Sequence, residues 1–142
     1  MDVDVDCFAS LLAARLAAIV PDGFHVELEG DMLWFRSDQG RFPGQLGDYN
    51  AGSRGVWPHE DFITCTKYEG TAEECAADVA RHALGVLQDY IAEALHDPWP
   101  GQRARPEPRA EVRGSMLHLW YGDTDEAVLA CEPISLAGPG GA

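Results

Sequence analysis

The sequence predicts an α+β fold with two layers: a mainly antiparallel sheet of about five strands with two main helices on one face, in the order α-β-β-β-α-β-β. Three observations lead there. Two long stretches repeat apolar residues at 3.6-residue spacing, and short β-rich segments cluster between and after them. A chain of 142 residues with 46% hydrophobic content also suits one domain with a real core. The expected domain spans residues 1–134, and 135–142 is a flexible C-terminal tail of small residues.

Asp6 is placed to cap a first helix reaching Val20, in which Phe8, Leu11, Leu12, Leu16 and Ile19 share one stripe and Pro21 ends the run. A hairpin follows. Phe24, Val26 and Leu28 alternate with His25, Glu27 and Glu29, and Met32 to Arg36 returns across a Gly30-Asp31 turn. From Asp38 to Gly55 the glycines 40, 44, 47, 52 and 55 mark a long loop, after which Phe62 to Tyr68, aromatic and β-branched, is expected as a third strand. Thr71 and Glu74 form a capping box for a second helix reaching His96. Its packed face holds Val79, Ala83, Val86, Leu87, Tyr90, Ile91 and Ala94; its wet face holds Asp78, His82, Asp89, Glu93 and His96. Four prolines make residues 97–109 a linker or exposed loop. Met116 to Tyr121 and Ala127 to Cys131 then form a last hairpin.

This order is similar to that of the type III secretion chaperone-like fold without its last helix. The likeness is one of element order and implies no activity.

Charge narrows the function classes. The formal net charge is −14, from 24 acidic and ten basic residues, which disfavours phosphate backbones and anionic lipid and would attract a basic protein. No apolar run approaches the roughly 20 residues of a membrane span, and the acidic start MDVDVDCF is unlike a signal peptide, so a cytoplasmic location is expected. Lys67 is the sole lysine, a composition that hints at a high-GC bacterial genome. Cys7, Cys65, Cys75 and Cys131 are widely spaced and are expected to be reduced core residues.

Catalytic motifs are not found. The Gly-rich loop lacks phosphate-cradle patterns, and no serine sits in a G-x-S-x-G elbow. Asp78/His82 and Glu93/His96 are each spaced for two metal ligands, but the pairs are separated by roughly 15 to 20 Å along the helix, so no metal is expected. No cofactor is expected either.

Two surface readings remain. A two-residue turn at Gly30-Asp31 pairs Glu29 with Met32, Glu27 with Trp34 and His25 with Arg36, leaving Phe24, Val26, Leu28, Leu33 and Phe35 on the core face. If Leu117, Leu119 and Tyr121 face the helices, Met116, His118 and Trp120 point to the other side. An open face carrying Trp34, Trp120, His118, Arg36, His25 and Met32 is the expected partner-binding surface, unless Trp57 or Trp99 covers it. Arg15, on the apolar sector of helix one, must reach water, meet a carboxylate or lie under another chain.

The leading expectation is a non-catalytic binding or adaptor protein that self-associates as a homodimer or masks a protein partner, as chaperones and immunity proteins do. The alternative is a small-molecule-binding protein or enzyme whose pocket is closed by residues 38–61, with His59, Glu60, Asp61, Tyr49 and Arg41 as polar groups.

Overall fold

The computed structural model describes residues 2–38, 53–101 and 105–137. Their order is α1 (Val5–Ala17), β1 (Phe24–Glu29), β2 (Met32–Ser37), β3 (Ser53–Val56), α2 (Pro58–Tyr68), α3 (Ala72–Leu95), β4 (Pro108–Arg113), β5 (Met116–Gly122), β6 (Ala127–Ala130) and β7 (Ile134–Ser135). The fold is α+β, as predicted. The strands, however, form two antiparallel sheets, one of three strands and one of four, instead of a single sheet.

The cap of α1 is Asp4, whose side chain accepts from the Cys7 N–H at 3.1 Å, and not Asp6. The helix stops at Ala17, short of Val20, because the approach to Pro21 disfavours helical backbone. Phe8, Leu12 and Leu16 are buried, as are Ala9 and Ala13. Arg15 is partly exposed, and its Nε donates to the backbone carbonyls of Glu132 and Pro133 at 3.1 and 3.2 Å, an arrangement the sequence did not indicate, docking α1 on the C-terminal segment.

The first sheet has the order β1-β2-β3, and the β1/β2 register is the predicted one, from His25 opposite Arg36 to Glu29 opposite Met32. Gly30, with φ of 61°, supplies the left-handed turn residue. Leu33 and Phe35 are fully buried. Strand β3 lies where a loop was expected. Gly55 sits opposite Trp34, and a Cβ there would meet Met32 Cε at 2.5 Å and the Trp34 ring at 3.2 Å. That glycine makes room for the neighbouring indole.

Residues 62–68 belong to helix α2, not to a strand. Pro58 at the start, Glu60 and Asp61 in the first turn and Lys67 in the last suit a helix, and Phe62 and Cys65 share its buried face with Pro58 and His59. The β-branched composition misled because tertiary packing overrides a weak propensity. The helix has a second consequence. It aims Cys65 at Cys75 in the first turn of α3, and the two form a disulfide with Cα atoms 5.6 Å apart, correcting the expectation of four reduced cysteines. Cys7 and Cys131 are free thiols.

Helix α3 is the axis of the domain. Both halves of the Thr71/Glu74 capping box are formed, and His96 closes the helix at φ 57°. Its packed and wet faces are those read from the sequence. In the second sheet β5 is central, with β4 on one side and both β6 and β7 on the other. Leu117, Leu119 and Tyr121 point inward, and the Tyr121 hydroxyl donates to the Leu84 carbonyl at 2.7 Å, tying β5 to α3. The Pro-rich stretch was expected to be linker through residue 109, yet Pro108 and Arg109 begin β4, an edge strand where proline at the first position is tolerated. The tail was expected to fray from residue 135; instead Ser135 pairs with Met116 and Leu136 is buried. No described helix is long and apolar enough to cross a membrane.

Candidate binding cleft around Trp120

The predicted partner-binding residues are divided between the two sheets. On the first sheet, Arg36 donates to Glu27 and Glu29 at 2.7 and 2.6 Å and lies 5.2 Å from the Trp34 ring centre. The Arg36 guanidinium holds the Glu29 carboxyl below its ordinary range. His25 contacts Asp38 at 2.5 Å, and Met32 reaches over Gly55 beside Trp34. The one guanidinium of this face is therefore shared by two carboxylates beside a half-buried indole.

The second sheet places His118 and Trp120 on the side away from the helices. They face Glu111 and Arg109 across the β4/β5 ladder, and Trp120 faces Ala130 on β6. Trp120 is only 7% exposed, so the open indole expected from alternation is in fact covered by its surroundings. Trp99 does not provide the cover: its ring packs edge-on against Tyr121, on the core side, with centroids 5.5 Å apart. Trp57 is half exposed.

Two hollows flank Trp120. The smaller, about 130 Å³, is bordered by Arg113, His118, Thr124, Ala127, Ala130 and Cys131 as well as the indole. The larger, about 410 Å³, runs along β4 from Glu107 to Glu111 and reaches Arg81 of α3. Trp120 and Thr124 border both, so the indole stands between them. Its Nε1 is buried with no hydrogen-bond acceptor among the described residues. Gly122 shapes this region. It takes φ 112° at a register shift between β5 and β6, and a Cβ there would lie 2.9 Å from the Val128 nitrogen.

The charged groups around the indole are engaged locally. Arg113 lies 5.8 Å from the Trp120 ring centre and donates to Glu111 at 2.9 Å. Arg109 donates to the Gly122 carbonyl at 2.8 Å and to Glu107 at 3.1 Å. Burial pushes the Cys131 thiol up to about 12, with Arg15 pulling weakly the other way, so it stays protonated at neutral pH and is a poor nucleophile.

The second predicted group does not converge. His59, Glu60 and Asp61 occupy successive positions in the first turn of α2, about 100° apart around the helix, so they diverge. His59 is buried and contacts Asp6 Oδ1 at 2.7 Å, fastening α2 to α1, while its other ring nitrogen lies 3.9 Å from Asp31 Oδ1 and, like the Trp120 N–H, has no hydrogen-bond partner among the described residues. Glu60 and Asp61 are exposed. Tyr49 and Arg41 lie outside the described residues, as does most of the 38–61 loop. The structure does bring Asp61 to a hollow shared with Cys65, Glu69, Asp78 and His82, uniting residues that the sequence left apart.

Arg109, Glu111, Arg113 and Thr124 were missed as site residues. A signal existed: Glu107, Arg109, Glu111 and Arg113 alternate with Pro108, Ala110 and Val112, a period of two hidden by the prolines before it. No protein-family model, curated protein or solved structure matches this chain.

Proposed function

We propose that this chain is a non-catalytic binding protein that masks a positively charged protein partner, with the Trp120 cleft as its anchor. The observation that carries this reading is the Trp120 side chain, which borders two hollows and whose buried N–H has no acceptor among the described residues. Leaving such a donor unsatisfied costs about 1–3 kcal/mol, which a partner's carbonyl oxygen would recover. The net charge of −14 adds long-range attraction for a basic partner. The protonated Cys131 thiol and the locally paired arginines favour binding over bond-making chemistry.

The test is calorimetric titration of the protein and of Trp120→Phe with length-matched cationic and anionic peptides. Cationic peptides should bind the unaltered protein and bind Trp120→Phe roughly tenfold or more weakly, since the ring is kept and the N–H is lost. Equal affinity for the two proteins, or a preference for anionic peptides, would overturn the reading.

A further inference from the structure

We propose that β4 is a self-complementary edge through which two copies of this chain pair antiparallel, with the twofold axis at Ala110. This goes beyond the Trp120 reading: it gives the larger hollow along β4 to a second copy and leaves the smaller one beside Trp120 to another partner, and self-association is measured independently of peptide binding. Strand β4 ends its sheet, and among the described residues it forms a ladder with β5 alone.

Two hydrogen bonds establish which backbone groups of β4 face outward. The Glu107 carbonyl accepts from the Gly122 N–H at 2.9 Å, so Glu107 is turned towards β5. Leu119, the β5 residue opposite Ala110, turns its carbonyl away from β4 to accept from the Cys131 N–H at 3.1 Å. Facing alternates residue by residue in an antiparallel ladder. Arg109, Glu111 and Arg113 therefore follow Glu107 towards β5, while Pro108, Ala110 and Val112 present their backbone groups to the free edge. The larger hollow borders five consecutive residues, Glu107 to Glu111. Successive side chains point to opposite faces, so a hollow touching all of them lies along the rim of the strand, where an added strand would sit.

Charge and strand overlap together select the register. Pairing two such edges requires outward residues opposite outward residues, which puts the twofold axis on a residue and not between two. An axis on Arg109 or Glu111 sets like charges opposite each other, which is destabilising, and an axis on Pro108 or Val112 leaves most of each strand without a partner. An axis on Ala110 sets Arg109 opposite Glu111 of the second copy and Glu107 opposite Arg113 of the second copy, so every charged side chain of one face meets its opposite. On the other face Pro108 meets Val112 of the second copy and Ala110 meets its own counterpart. Ala110 and Val112 already pack against the core, so this apolar layer would continue across the axis. The backbone agrees. Each Ala110 N–H meets the carbonyl of its counterpart and each Val112 N–H meets the Pro108 carbonyl of the other copy, which uses every outward donor, since Pro108 has none.

Sedimentation equilibrium of the full chain tests this with two charge reversals, Arg109→Glu and Glu111→Arg. The unaltered chain should dimerise. Each variant alone places like charges across the axis and should self-associate on the order of tenfold more weakly or worse. An equimolar mixture of the two restores opposite charges at every position and should recover the dimer as a heterodimer, which also shows that both variants are folded. A monomeric unaltered chain, variants that dimerise as it does, or a mixture no tighter than its components would overturn the proposal.

Discussion

Each sheet carries a tryptophan on the face turned away from the helices, and the two indoles are held in opposite ways. Trp34 is half-buried, lying against Gly55 and beneath Arg36, whose guanidinium is itself taken up by Glu27 and Glu29. Trp120 is nearly inaccessible, yet it stands between two hollows and its N–H has no acceptor among the described residues. The more exposed aromatic sits in a completed arrangement and the less exposed one in an incomplete one. An orphaned buried donor costs energy that a partner can return, whereas a partly exposed ring is ordinary, and this difference is why the proposal rests on Trp120 and not on Trp34.

Truncation separates the two faces most strongly. Trp120→Ala should cost about 3–5 kcal/mol by urea denaturation, as for a large side chain removed from a packed site. Trp34→Ala should cost less, roughly 1–3 kcal/mol, since part of that side chain is in water and leaves less of a cavity. Equal losses would mean that the burial difference carries no energetic weight.

The glycines beneath the two faces should differ next. Gly122→Ala forces a side chain into a left-handed conformation against the Val128 backbone, and about 1–3 kcal/mol of stability should be lost. At Gly55 the nearest obstacle is the flexible tip of Met32, so Gly55→Ala should cost about 1 kcal/mol or less and mainly shift Trp34 fluorescence. The reverse order would place the rigid geometry in the first sheet.

Tyr121→Phe removes the hydroxyl that joins β5 to α3 and should lower stability by about 1 kcal/mol without altering Trp120 fluorescence. A changed Trp120 signal would show that the cleft depends on this tether.

The smallest effect belongs to acid titration of the first sheet. The Glu29 carboxyl is lowered from 4.5 chiefly by its hydrogen bond to Arg36, so the stabilisation it contributes is present above that value and is lost as pH falls below it. Arg36→Gln should flatten the pH dependence of stability in that window. An unchanged profile would remove Arg36 as the cause.

Elements with strong local signals were legible in the sequence. The capping box and long apolar stripe of α3, and the Gly30-Asp31 turn with its β1/β2 register, depend on neighbours within a few residues, where backbone geometry and side-chain period act directly. The division into two sheets, the helical state of residues 62–68 and the Cys65/Cys75 disulfide were decided only in three dimensions. Weak propensities there gave way to packing against α3, and the disulfide followed from the helix that aimed Cys65 at its partner. The cleft divides in the same way. Alternation along β5 put Trp120 opposite Leu119 and Tyr121, a local consequence of strand geometry. That its indole would be covered and left without an acceptor depended on β4, β6 and the turn between β5 and β6 closing around it, and no local pattern encodes contacts between segments so far apart in the chain.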